Sequence, residues 1–166
     1  MKKLILMRHG KSSWKDSTLS DFDRPLKKRG QHDVPLMAKL LKSEDLVPDL
    51  ILSSPAVRCR DTVELSNQVF GLPEEKVVWV DGLYMADIDD YYEAINQFNH
   101  DEKVILICGH NPSMEALLQS LTGNIDVLSS AGVAYIKLNI EQWNEIAGED
   151  PSGKLKGLWL PKGINE

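Results

Sequence analysis

Lys3-Leu4-Ile5-Leu6-Met7-Arg8-His9-Gly10 is the stretch on which the fold turns. Its apolar run does not alternate, so it reads as a strand buried on both faces, as in a parallel sheet covered by helices. The run ends abruptly in a guanidinium, an imidazole and a glycine. In open α/β sheets ligands bind beyond the carboxyl ends of the strands, which is where Arg8 and His9 would then lie.

The same grammar recurs twice. Asp49 to Ser53 is a second short apolar strand, followed by Ser54-Pro55, which reads as a helix start with serine as N-cap. That helix runs to about Phe70, is stopped by Gly71, and carries Arg58 in its first turn. The helix dipole disfavours a cation there, so Arg58 suggests an anion shared with the helix N-terminus. Lys103 to Cys108 is a third core strand, ending in Gly109-His110-Asn111-Pro112, with Asn111 expected to cap another helix. Three strand ends thus bring Arg8, His9, Arg58 and His110 to one edge of the sheet.

Between them, Lys11 to Asp23 is polar and reads as a long loop, a length usually reserved for function. Arg24-Pro25-Leu26 is expected to open a helix with an apolar face of Leu36, Met37, Leu40 and Leu41, interrupted or kinked at Pro35. Lys76 to Val80 is a further strand and Asp87 to Phe98 a helix. Val133 to Leu138 and Lys154 to Leu160 alternate, predicting antiparallel edge strands around a polar loop bearing Gly148, Pro151 and Gly153; Trp143 and Trp159 read as packing residues. The expected architecture is a three-layer α/β/α sandwich, its central sheet mostly parallel with an antiparallel edge strand. Its 166 residues form one domain, residues 1–166.

Composition narrows the function. The formal charge is −6 and the basic residues are scattered, which argues against a nucleic-acid binder. The four-residue apolar run before Arg8 is too short for a signal peptide or membrane span, so a cytoplasmic protein is expected. Cys59 and Cys108 match no metal spacing, and the sixth positions after them are Leu65 and Met114, so neither starts a Cys-x5-Arg phosphatase loop. Both read as reduced core residues. His32 and His100 sit among polar residues and read as solvated. No metal-ligand spacing occurs, and no metal or other cofactor is expected.

Two imidazoles and two arginines suit a tetrahedral dianion. Guanidinium forks bind phosphate oxygens in pairs, helix N-termini add donors, and Gly10 and Gly109 would let the backbone approach closely. A neutral histidine whose second nitrogen is held by a carbonyl can attack phosphorus, and His9 is the better placed for that. Asn111 joins Arg8, Arg58, His110 and Gly10 as an expected phosphate contact. Taken singly, each residue has a structural use; their joint placement carries the functional reading.

Those residues also resemble a family. Leu6-Met7-Arg8-His9-Gly10 is similar to the Arg-His-Gly signature of the histidine phosphatase (phosphoglycerate mutase-like) superfamily, Ser54 to Arg58 with Thr62 to its second phosphate-binding segment, and Gly109-His110 to its second histidine. Asp23-Arg24-Pro25-Leu26 with Arg29-Gly30 resembles the SixA-type phosphohistidine phosphatase branch. The resemblance implies a phosphoglycerate mutase-like fold and a nucleophilic His9. It also implies that Arg8, Arg58 and His110 hold the phosphoryl group, with no cofactor. Many members carry Leu-x-Glu after the third strand, where Leu83-Tyr84-Met85 places a methionine. Asp23, Asp81 and Asp87 remain as substitute acids, beside water. A phosphorylated histidine leaves as imidazole and needs less acid help, so the expected substrate is phosphohistidine in a protein, with small phosphate esters as an alternative. A non-catalytic phosphate-binding module is a second alternative, and a mutase, which must retain its phosphate in a closed site, fits less well.

Overall fold

The computed structural model describes residues 1–97, 101–147 and 153–164. His100, the end of the third helix at Phe98, and Gly148 and Pro151 of the polar loop lie outside the described residues. In chain order the main elements are β1 (Lys2–Arg8), α1 (Lys28–Ser43), β2 (Leu50–Ser53), α2 (Val57–Phe70), β3 (Val77–Trp79), α3 (Ile88–Gln97), β4 (Val104–Gly109), α4 (Ser113–Thr122), β5 (Val133–Leu138) and β6 (Gly153–Trp159). They build a six-stranded sheet in the order β3-β2-β4-β1-β5-β6. β1, β2, β3 and β4 are mutually parallel, while β5 runs antiparallel to both of its neighbours.

The unalternating run of β1 now has its reason. Leu4, Ile5, Leu6 and Met7 are all completely buried. Successive side chains point to opposite faces, so Leu4 and Leu6 join the core shared with α3 and α4, while Ile5 and Met7 join the core shared with α1 and α2. Helices on both faces make the expected three layers. Trp143 is fully buried, its indole N–H donating to the Glu102 carbonyl at 2.7 Å, and Trp159 packs against the α1/α2 core, so both indoles serve packing.

Four local expectations need correction. Arg24-Pro25-Leu26 does not open α1, because residues 11–13 and 25–27 pair as a short antiparallel ladder. Ser13 N–H donates to the Pro25 carbonyl at 2.8 Å, Lys27 N–H donates to the Lys11 carbonyl at 2.9 Å, and Ser12 bridges Leu26. The helix therefore begins at Lys28 and runs through Pro35 to Ser43. Burial of Val34, Met37, Ala38 and Leu41 holds it together across the missing N–H, while Leu36 and Leu40 are only partly buried. Ala56, not Ser54, is the N-cap of α2, and Pro112, not Asn111, that of α4. The peptide bond between Asn111 and Pro112 is cis. Finally, β6 lies at the sheet's edge but β5 is enclosed between β1 and β6.

The carboxyl ends of β1, β2 and β4 lie side by side. Arg8 pairs with Gly109, and Ser53 and Met7 both pair with Cys108. That register is what sets His9, the start of α2 and His110 next to one another.

Candidate active site

His9 leaves β1 with its backbone tied on both sides, its N–H to the Gly109 carbonyl at 3.2 Å and its carbonyl to the Ala131 N–H at 3.0 Å. The ring is buried, and Nδ1 lies 2.7 Å from the Gly10 carbonyl oxygen. A carbonyl only accepts, so Nδ1 carries the hydrogen and Nε2 keeps a lone pair. Burial brings the His9 pKa down to about 3, the Gly10 bond opposes this, and His110, Arg58 and Arg8 add to the lowering. At neutral pH the ring is uncharged, as a nucleophile requires.

The four residues expected at one edge are brought together. The rings of His9 and His110 have centroids 5.2 Å apart. Both histidines, Arg8, Arg58 and Asn111 line one cavity of about 350 Å³. Arg8 donates to the Leu128 carbonyl at 3.2 Å and keeps a buried Nε without a partner among the described residues. Arg58, from the first turn of α2, is 7% exposed and is held from behind by Asp21, whose carbonyl and carboxylate accept at 2.7 and 3.1 Å.

His110 is oriented through its other nitrogen. Nε2 lies 2.8 Å from Ser54 Oγ and 3.5 Å from Cys59 Sγ. Ser54 Oγ also accepts from the Ala56 N–H at 3.3 Å, so one serine hydroxyl ties the start of α2 to the His110 ring. Its Nδ1 is buried and has no partner among the described residues. Displaced from its expected capping role, Ser54 thus anchors the His110 ring beside that of His9.

Gly10 and Asn111 sit differently from the sequence expectation. Gly10 does not line the cavity. Its N–H donates to Thr62 Oγ1 at 3.0 Å and its carbonyl takes the His9 hydrogen, so both polar groups are occupied in placing His9. Asn111 does line it, but its amide N–H₂ is spent on Glu115 at 3.1 Å and the Leu128 carbonyl at 2.9 Å. A Cβ at Gly109 would collide with the hydroxyl of Tyr91, the group that accepts the His110 backbone N–H at 3.3 Å.

The chain also matches known proteins. The model of the histidine phosphatase superfamily (branch 1) matches residues 4–83. An uncharacterized chloroplastic protein of Arabidopsis thaliana is 35% identical over 170 residues, spanning 96% of this chain and 78% of that protein. The chain belongs to the histidine phosphatase superfamily. Its SixA-type branch is indicated by the structure assigned as phosphohistidine phosphatase SixA from Agrobacterium tumefaciens, 27% identical with a TM-score of 0.80 over 96% of this chain and 98% of that one. A SixA protein histidine phosphatase complexed with tungstate shares the fold at 21% identity, with a TM-score of 0.80 over 96% of this chain and 97% of that one.

Within this histidine phosphatase the aspartates considered as acids are placed elsewhere. Asp23 accepts from Ser20 Oγ at 2.8 Å, and Asp87 exchanges hydrogen bonds with Asp90 at the start of α3, at 2.9 and 3.2 Å. Asp81 is exposed in a short 3-10 helix, Asp81–Leu83. None of the three lines the cavity, and Met85 is 85% exposed. Asp21 bonds the cavity-lining Arg58, but the Tyr84 hydroxyl above all, joined by Arg58 and Arg24, draws its carboxyl down to about 2 against the opposing effect of burial. It is ionised at any working pH and donates no proton. Sequence reasoning missed Asp21 and the cavity-lining Lys11, Arg24 and Lys27, all in or beside the long loop. Only the length of that loop pointed to them. No cluster of three or more His, Cys, Asp or Glu residues fit to hold a metal ion occurs among the described residues, and no helix there is long and apolar enough to cross a membrane.

Proposed function

We propose that this histidine phosphatase hydrolyses phosphohistidine in proteins through a covalent phosphohistidine on His9. The observation that carries the reading is the buried, neutral His9, its Nδ1 hydrogen given to Gly10, its Nε2 lone pair left free and its ring lining a cavity with Arg8, Arg58 and His110. In the first step Nε2 forms a bond to phosphorus as the bond from phosphorus to the departing nitrogen breaks. The two arginines, with a ring N–H of His110, balance charge on the phosphoryl oxygens. The leaving imidazole takes its proton from water. In the second step water attacks phosphorus, the bond to His9 Nε2 breaks, and inorganic phosphate and neutral His9 are released.

What the cavity lacks supports the substrate class. None of its lining residues is a carboxylic acid; Asp21, bonded to the lining Arg58, is held ionised by Tyr84 and Arg58, and Glu115 accepts from the lining Asn111 at 3.1 Å without itself lining the cavity. An alkoxide leaving group needs a proton in the transition state; an imidazole leaves with far less help. The likeness to the SixA protein from Agrobacterium tumefaciens supports the same class. The buried thiols of Cys59 and Cys108 suit a reducing compartment such as cytoplasm.

The reading is tested by comparing kcat/KM for a phosphohistidine peptide with that for sugar phosphates. Preference for the peptide by about a hundredfold or more is expected. Preference for the sugar phosphates would overturn the substrate assignment, and phosphate binding without turnover of either would mark a binding module.

A further inference from the structure

The cavity holds more positive charge than one phosphoryl group needs. Besides Arg8 and Arg58, its lining includes Lys11, Arg24 and Lys27, and no acidic side chain, in a chain whose net charge is −6. Arg24 is committed internally. It donates to Ser13, Asp21 and Ser12, and its guanidinium lies 3.2 Å from the centroid of the Trp14 ring. Lys11 and Lys27 are both exposed, and no ion pair or hydrogen bond joins either ammonium to another described residue.

Their placement is unusual. In the short ladder described above, the bridge between Ser12 and Leu26 and the bond from Lys27 N–H to the Lys11 carbonyl set Lys11 directly opposite Lys27. Opposite residues of an antiparallel pair project to the same face, and like charges there repel. The ladder is firmly held: Leu26 N–H donates to Asp61 at 3.1 Å, and Gly30 packs so closely on the Lys11 backbone that a Cβ there would not fit. Two lysines held opposite each other on a fixed backbone, with no carboxylate bonded to either ammonium, suit an anion supplied by something else.

We infer that Lys11 and Lys27 form a second anion subsite beside the phosphoryl site, which takes a carboxylate of an acidic residue flanking the phosphorylated one. The inference rests on the phosphohistidine reading and names the kind of protein segment it would act on. A peptide is favoured as the carrier because Trp14, 75% exposed, lines the same cavity and offers an aromatic surface to a chain crossing it.

Binding tests this without turnover. Two peptides carry a non-hydrolysable phosphohistidine analogue flanked by glutamates or by glutamines, and each is titrated calorimetrically into the wild-type protein and into Lys11→Gln/Lys27→Gln. The glutamate peptide is expected to bind wild type about tenfold more tightly at ~50 mM salt, with a smaller advantage at ~300 mM. In the double variant the preference should fall to about twofold or less, while Lys154→Gln/Lys156→Gln, altered on β6, should keep it. Equal binding of the two peptides by wild type, or a preference that persists without the two lysines, would overturn the inference. Lysine-dependent tightening of pyrophosphate over inorganic phosphate, with none for the glutamate peptide, would assign the subsite to a small bisphosphate and overturn the peptide. Failure of the protein to hydrolyse phosphohistidine would count against the catalytic reading alone, since these titrations read binding.

Discussion

Arg58 is held in the cavity by Asp21, which accepts from both of its terminal nitrogens, one through the backbone carbonyl at 2.7 Å and one through the carboxylate at 3.1 Å. The same carboxylate takes the Tyr84 hydroxyl at 2.7 Å and an N–H of Arg24 at 3.1 Å, so a single loop residue aligns two cations. Asp21→Asn removes the charge and leaves Arg58 less firmly aimed. A fall of about tenfold in kcat/KM is expected, because small misplacements of a positioning group are costly. The Asp21 side chain is 49% exposed, so stability should change by less than ~1 kcal/mol. Unchanged kinetics would show that Arg58 needs no such support.

Thr62 links the nucleophile's loop to α2. Its hydroxyl accepts the Gly10 N–H at 3.0 Å and donates to the Arg58 carbonyl at 2.7 Å, and the residue is completely buried. Thr62→Val keeps the shape and leaves the Gly10 N–H without a partner, at a cost of about 1–3 kcal/mol. The urea midpoint should fall with an unchanged slope, and turnover should fall with it as the Gly10 carbonyl loosens its hold on His9. A midpoint equal to wild type would contradict the link.

His9 should stay neutral far below the usual histidine range. Its pKa is lowered from 6.5 to about 3, so no loss of rate between pH 7 and 5 should come from its protonation, and an NMR titration of the ring should show Nδ1–H and an unprotonated Nε2 throughout that range. The sign for stability follows. Below pH 6.5 the unfolded chain protonates His9 while the folded chain does not, so stability is lost as pH falls toward 3. By pH 4.5 the loss from this group is about 2–3 kcal/mol, and His9→Asn should lack it. A ring that titrates near 6.5 would contradict the assigned burial.

Much of this was legible in the chain. The unbroken apolar runs of β1 and β4 identify strands covered on both faces, and an imidazole directly after each can only emerge at the sheet's carboxyl edge. Local signals misled where distant pairing overrode them. Pro25 has the chemistry of a first helical turn, yet the ladder with residues 11–13 holds it extended. Ser54 has the chemistry of a cap, yet His110, 56 positions away, claims its hydroxyl. β5 alternates like an edge strand and is nonetheless enclosed, because β6 closes over it from the far end of the chain. Asp21, Lys11 and Lys27 gave no signal beyond the length of the loop they sit in or beside, since their roles depend on which backbone faces which.

The central claim is that His9 Nε2 takes the phosphoryl group. It is tested most directly by mixing the protein with a labelled phosphoramidate, quenching in base within the first turnover and locating the label by mass spectrometry. A base-stable, acid-labile phosphoryl group on His9, absent from His9→Ala together with turnover, is the predicted result. Label on any other residue, or turnover that survives His9→Ala, would contradict it.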